Sequence, residues 1–445
     1  MEPTAARTLA AFASTLELDA IPALDRERAR QCLIDAVGVC LLGSRLPWGR
    51  AVADYAHHYG GTGTSRMIGT PGAVSAPLAA LANGVFAHGF ELDSLRKPGA
   101  GVHPGAALVP VALALGEETG CSGRTLIAAL VAGCEVMFRI GAASKHSSEQ
   151  LGFHAPGLTG PFGAAVTAAR VVGLDADCTT QALGIAGSLC GGVLAFTRAD
   201  NGAMIKRLHL GRAAEAGILA ARLAERGFEG PDTILEGGFG FLETYCAEAD
   251  PALLTADLGV RFETGKLCIK RYPCHVTAHT PLVAIEALRR EHGLRGDDVE
   301  SVVVRASEKV VSHHADREPA DTMAAQYSVP YCVAVALLDD PMDATAFGER
   351  GLRDPRIRAL CRAVRCEALT EGRGWASEVA LRLRDGRVLT RAADDFPGTP
   401  TMPLTQDALR DKFRRCAGGF PNAGRLLAQL ERIESLQDVR ELALS

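Results

Sequence analysis

Apolar positions in the first half of the chain recur at the three-to-four-residue spacing of a helix. In "DRERARQCLIDAVGVCLL", from Asp25 to Leu42, the residues Ala29, Leu33, Ala36, Val37 and Cys40 share one face, which predicts an amphipathic helix. The same period returns in "SAPLAALANGVFAHGF", "GRTLIAALVAGCEVMFRIGAA", "TGPFGAAVTAARVVG" and "GRAAEAGILAARLAERG". These stretches are rich in Ala and Gly, so their helices can approach one another closely, and a tight helical core is expected. After about Tyr272 the pattern changes. "DDVESVVVRAS" is β-branched and strand-like, and "EVALRLRDGRVLTR" alternates on both sides of Asp385–Gly386, a hairpin signal. Helical segments intervene in "TPLVAIEALRREHG" and "QYSVPYCVAVALLDD", and the end, "LTQDALRDKFRRCAG" and "GRLLAQLERIESL", returns to helix. The expected fold is mainly α: a large all-helical domain over residues 1–265, rejoined by 400–445, and a smaller α+β domain over 266–399.

Composition narrows the function classes. With 445 residues and 47% apolar content, the chain can form one large or two ordinary domains. Its net charge is −5, and Lys and Arg are dispersed, so a nucleic-acid surface is not expected. "GAALVPVALALG" and "TLIAALVAGCEVMF" are too short, or too interrupted by Glu135 and Arg139, to read as membrane spans. "MEPTAARTLAAFAS" lacks the order of an export signal, and a cytoplasmic location is expected. The 13 cysteines form no CxxC pair, and Cys268 and Cys274 near His275 match no common metal spacing. Neither a zinc nor an iron–sulfur site is expected.

Candidate chemistry collects in five places. "HGFELDSLRKPGAGVHPG", His88 to Gly105, packs two acids, an arginine, a lysine and two histidines into a Gly- and Pro-loosened turn. His154 sits in the loop "LGFHAPGLTGPFG". Lys206, Arg207 and His209 open a helix in "NGAMIKRLHLGRAAEAG". Lys270, Arg271, Tyr272, His275 and His279 fall in "GKLCIKRYPCHVTAH", and Tyr327 and Tyr331 flank Pro330 in "AAQYSVPYCVAVAL". Each alone reads as ordinary solvated or hydrogen-bonded polarity. Together they supply the cations, imidazoles and carboxylate that a small polyanion requires.

These blocks, in this order and from about residue 10 to about residue 415, resemble the MmgE/PrpD family. "GFHAPGLTGPFGAA" and "KRLHLGRAAEAGILAARLAERGFEGPDTILEGGFGF" carry the resemblance most specifically. The family includes 2-methylcitrate dehydratase, cis-aconitate decarboxylase and iminodisuccinate epimerase. The resemblance implies that the α+β domain is a lid, that the site lies between the domains, that no metal or organic cofactor is used and that the protein is a homodimer. It points to Asp93, His103, His154, Lys206, Lys270 and Tyr331 as catalytic. Arg96, Arg207, His209, Arg271 and His275, which share those clusters, are the candidate substrate-binding groups.

The residue types agree with the family's chemistry. A proton taken from, or added to, a carbon next to a carboxylate passes through a dianion-like state, which cations must stabilise. A base and an acid of matched pKa are also required. The first expectation is a hydro-lyase acting on a small di- or tricarboxylate. The alternatives are an epimerase of a dicarboxylic acid, a cis-aconitate-type decarboxylase and a non-catalytic carboxylate-binding relative. Two departures bear on the substrate. Ser94 follows Asp93 where many members carry a second acid, and Arg96 and Lys97 are additional. The two cations read either as contacts for a more anionic or differently shaped substrate or as solvated loop charges.

Overall fold

The computed structural model describes residues 3–99, 101–199, 204–369 and 374–445. The helices of the first part that position the site are α1 (Ala23–Gly43), α2 (Ala76–Ala87), α3 (Pro104–Thr119), α4 (Gly123–Ala143), α5 (Ala155–Val172) and α6 (Ile205–Ala224). Their ends follow local chemistry. The Ser122 side chain accepts from the amide of Thr125 at the start of α4, and α3 and α5 end at Gly120 and Gly173, both left-handed, a conformation that favours glycine. Small residues then set the packing. A methyl group placed on Gly84 of α2 would lie 2.7 Å from the Cα of Gly211 in α6, and one on Gly211 would collide with the Leu81 carbonyl oxygen. The two backbones therefore touch, as the Ala/Gly-rich pattern predicts.

The second part holds α7 (His279–His292), α8 (Val329–Leu338) and a four-stranded sheet. Two short strands, β1 (Leu95–Arg96) and β2 (Leu267–Cys268), pair antiparallel and join the loop after α2 to the entry of the second part. The sheet strands are β3 (Val299–Ala306), β4 (Val364–Ala368), β5 (Ser377–Leu383) and β6 (Val388–Ala393), in the spatial order β4-β3-β5-β6. The β3–β4 pair is parallel and the others antiparallel. The predicted hairpin turns at Arg384–Asp385–Gly386, with Gly386 at φ 90°. Alternation puts Val302, Val304, Val379 and Leu381 inside, and α7 packs against β5 and β6. The molecule is mainly α with a smaller α+β part.

Three expectations change. The Asp25–Leu42 segment is not one-sided: α1 is buried at every residue from Cys32 to Leu41, because α2, α3 and α4 pack on it together with a C-terminal helix, α9 (Gln406–Ala417). "QYSVPYCVAVALLDD" forms two helices, Thr322–Tyr327 and α8, broken at Ser328, whose side chain caps the Tyr331 amide. Pro330 lies in the first turn of α8, where its missing N–H costs nothing. Finally, α4 is long and apolar enough by length and composition to cross a membrane, although 94% of that window is buried inside the protein. Glu135 there accepts the amides of Glu263 and Thr264, and Arg139 donates to the carbonyls of Ala256 and Arg261.

The Gly84–Gly211 contact generates a stability prediction. Gly211→Ala should cost about 1–3 kcal/mol, the usual range for overpacking. Gly424→Ala, at a helical position with open space around it, should be neutral or stabilise by about 0.5–1 kcal/mol. Urea unfolding of both variants checks this; equal midpoints would show that the helices can slide apart freely.

Candidate active site

Three helices begin at one place. His103 is the N-cap residue of α3, His154 that of α5, and Lys206 lies in the first turn of α6. Their amide-rich, partly positive ends favour bound anions. The loop from α2 to α3 threads between them. It is held by β1–β2 pairing and by the bond from the Arg96 backbone N–H to the Val102 carbonyl. Ser94 Oγ accepts from the Gly105 amide at 3.1 Å, so the residue that departs from the family's second acid anchors the loop to α3.

Inside the loop, Asp93 organises two imidazoles. Its Oδ2 lies 2.9 Å from His88 Nδ1 and 2.8 Å from His103 Nδ1. Burial works to raise the Asp93 carboxyl, but the two imidazoles outweigh it and hold the group well below its ordinary value. An ionised carboxylate only accepts, so both rings carry a proton on Nδ1 and leave Nε2 uncommitted to Asp93. Burial keeps His88 neutral, its pKa pushed down to about 3. The His88 ring also lies 6.0 Å from that of His154. His154 is likewise pressed well down, by burial and then by neighbouring imidazoles, and its Nδ1 is 2.9 Å from His209 Nδ1. The donor atoms of His88, Asp93 and His103 lie within 4.8 Å of one another. Both Nδ1 atoms are spent on Asp93, so we read the group as a carboxylate–imidazole network.

A second group meets on Glu91, whose backbone sits at φ 54°. Lys206 Nζ contacts Glu91 Oε1, Lys270 Nζ donates to Oε2 at 2.8 Å, and Tyr327 Oη donates to Oε1 at 3.2 Å. The two lysines, distant in sequence and from different parts of the fold, thus converge on one carboxylate. Arg207 donates Nε–H to the Gly89 carbonyl at 3.1 Å and stacks 3.9 Å over the Trp48 ring. Burial lowers it to about 10, which leaves it charged. Among the described residues, Arg207 Nη1, Asp93 Oδ1 and His88 Nε2 are buried without hydrogen-bond partners. Each is a group that a bound polar molecule would satisfy.

The structure joins Asp93 and His103, with His88, in one network, sets the hydrogen-bonded pair His154–His209 beside it, and brings Lys206 and Lys270 together in the other, with Arg207 alongside. His275 borders the second, its ring 5.0 Å from that of Tyr327. It does not bring Tyr331 there: that hydroxyl donates to the Ala346 carbonyl at 2.8 Å in the core of the second part. Tyr327, four residues earlier, is the tyrosine that reaches the cluster. Arg96 is buried, 2.8 Å from Glu263 Oε2, and also donates to the Pro98 carbonyl. Lys97 pairs with Asp395. Both are therefore paired charges that tether the loop. Arg271 lies 3.7 Å from Glu286 and over the Tyr272 ring, and is not joined to either network. His88 and Glu91 sit within the first polar segment and Tyr327 within the fifth, yet spacing alone does not set them above their neighbours. Nothing in the sequence pattern points to Trp48.

Two outcomes follow from this geometry. Asp93→Asn and His103→Ala should each fold yet lose about 10²-fold or more in turnover, the worth of a positioned acid or base; near-normal turnover in either would reduce that residue to a structural role. Buried neutral histidines also set the acid stability. Burial lowers His314 to about 4, while unfolded histidine titrates near 6.5, so between these values the unfolded chain binds the extra proton and stability falls as the pH falls. Each such group contributes about 1.4 kcal/mol per pH unit. His314→Gln should flatten the dependence of unfolding free energy on pH between about 6 and 4.5 by that amount, as read from denaturant midpoints.

Comparison with known proteins places these segments in a family. The MmgE/PrpD N-terminal domain matches residues 7–254 and the MmgE/PrpD C-terminal domain residues 272–437. Cis-aconitate decarboxylase of Mus musculus is 29% identical over 431 residues, covering 92% of this chain and 87% of that one. The Homo sapiens protein of the same name is 28% identical over 436 residues, covering 94% and 89%. That of Aspergillus terreus strain NIH 2624 is 28% identical over 466 residues, covering 97% and 94%. With both domain models matched in order across most of its length, the chain belongs to the MmgE/PrpD family of enzymes.

Proposed function

We infer that this enzyme is a cofactor-independent lyase that decarboxylates a small unsaturated polycarboxylate of the cis-aconitate type. The observation that carries the reading is the juxtaposition of the Asp93–His88–His103 network with the Lys206–Glu91–Lys270 group and Arg207. Acid–base groups stand beside cations at the N-termini of three helices. The relatives' names favour decarboxylation over the dehydration that the sequence first suggests, and similarity across most of both chains supports a common site.

The chemistry is compact. In a β,γ-unsaturated acid, the bond to the departing carboxylate breaks and its electron pair forms the new double bond. The old double-bond pair takes a proton at the carbon next to a second carboxylate, and carbon dioxide leaves. Negative charge passes through that second carboxylate, where Lys206 and Lys270 stabilise it. His103, less enclosed than His88, delivers the proton from Nε2. Asp93 holds the ring through Nδ1 and stabilises the imidazolium before transfer. Arg207, with a free buried N–H, holds a further carboxylate. The reading includes a homodimer, as the resemblance implies.

Incubation with cis-aconitate should release carbon dioxide and yield a product one carboxyl lighter, with undiminished rate after exhaustive chelation. Water loss from citrate-like acids without carbon dioxide would establish the dehydratase instead. Solvent deuterium entering a dicarboxylic acid without net conversion would establish the epimerase. Tight binding with no turnover of any acid would leave a carboxylate-binding relative.

A further inference from the structure

Glu91 stands apart from the acids that a proton-transfer mechanism uses. It is buried, its backbone is in the left-handed region, and both its carboxylate oxygens are committed to cations or hydroxyl. A non-glycine residue in that conformation costs about 1–3 kcal/mol and persists only where its surroundings hold it. Here the holding groups are two ammoniums. Lys206 and Lys270 are 6% and 2% exposed, and an unpaired buried ammonium sheds its proton rather than remain charged. Burial, then Lys270 and Arg207, depress Lys206, and burial depresses Lys270. A carboxylate against an ammonium favours its charged form, and Glu91 touches both lysines.

We propose that Glu91 is the positioning residue that keeps Lys206 and Lys270 paired and protonated in the dehydrated site, and that it limits their combined charge to one. Two ammoniums against one carboxylate leave a single net positive charge. An ammonium has three donors, so each lysine keeps N–H groups for a substrate carboxylate while sharing Glu91. The other groups near the pair cannot replace it. Arg207, His209 and the Tyr327 ring face Lys206. Asp93, Cys274, Cys268 and Asp35 act on Lys270, but Asp93 is bound to its two imidazoles and Asp35 to Lys412. His275, kept neutral by burial, then His314 and the nearby lysines, carries no negative charge. The charge limit rests on the carboxylate reading of the site; the protonation role does not.

The test uses the full-length protein with lysine labelled at 13Cε, the two signals assigned by Lys206→Arg and Lys270→Arg. In the native enzyme both should show charged-form shifts at neutral pH; in Glu91→Gln at least one should deprotonate about tenfold more readily, one pH unit lower or more, since the favouring negative charge is gone. Glu91→Asp, with the charge retained, should restore the native titration. Identical titrations in Glu91→Gln and the native enzyme would overturn the proposal. Should Glu91→Gln fail to fold, Glu91→Asp and Tyr327→Phe decide: native lysine titrations in both support Glu91 as the holder, and loss of charge in Tyr327→Phe would assign that role to the hydroxyl. Binding separates this from the substrate assignment. At a pH where both lysines are charged, Glu91→Gln should bind tricarballylate about tenfold more tightly relative to succinate than the native enzyme does. If neither acid binds the native enzyme, the polycarboxylate reading fails while the carbon titration still judges Glu91. An unchanged ratio would overturn the charge limit.

Discussion

A charge removed from water must find an opposite charge or give up its proton, and that constraint governs this molecule's interior. Lys206 and Lys270 meet Glu91, Lys412 meets Asp35, and Arg96 meets Glu263. These contacts also set the architecture. Lys412 in α9 donates to the Leu92 carbonyl at 2.7 Å, so the same side chain secures the C-terminal helix to α1 and positions the loop that carries Asp93. Arg96 and Lys97 reach from that loop to Glu263 and to Asp395. From His88 to Leu95 the loop is mostly irregular in backbone yet buried, and side-chain charges supply the fixation that a regular element would draw from its own hydrogen bonds.

Close helix packing makes the convergence possible. Glycine at 84 and 211 lets α2 and α6 touch through their backbones, which brings the end of α2, bearing His88, beside the start of α6, bearing Lys206. Gly133 in α4 faces Thr167 of α5, and Gly163 of α5 faces Met137 of α4, so closely that a methyl group on either glycine would collide with its neighbour. Larger side chains would spread the helix starts and separate imidazoles from ammoniums. The Ala- and Gly-rich composition is thus a requirement of the site as well as of the core. The four-stranded sheet contributes differently: with α7 and α8 it forms a second hydrophobic core, the platform from which Tyr327 and Lys270 approach.

Local order was legible where local chemistry decides it. Period-3.6 runs marked α1, α2, α4, α5 and α6, β-branched alternation marked β3 and β5, and Asp385–Gly386 marked the turn between β5 and β6. The polar segments that form the site were visible as unusual concentrations of charge. What those patterns could not convey was which side chain in a segment faces the cluster. Tyr327 and Tyr331 are four residues apart, but the break at Ser328 puts them on different helices, one hydroxyl on Glu91 and the other on a core carbonyl. Arg96 and Lys97 look like free cations in sequence because their partners, Glu263 and Asp395, lie 167 and 298 residues away.

Short windows of sequence were enough for the helical and strand segments, for the mainly α character with a smaller α+β part, and for the blocks that mark an MmgE/PrpD member, since each depends on neighbouring residues. Packing in three dimensions was needed to enclose α1 on all sides, to set two imidazoles on Asp93, and to stand Glu91 between two lysines 64 positions apart in the chain (Lys206 to Lys270). The reason is that a buried charge is defined by what surrounds it. Desolvation and pairing arise from groups brought together by packing, and nothing in the spacing of residues along the chain encodes them directly.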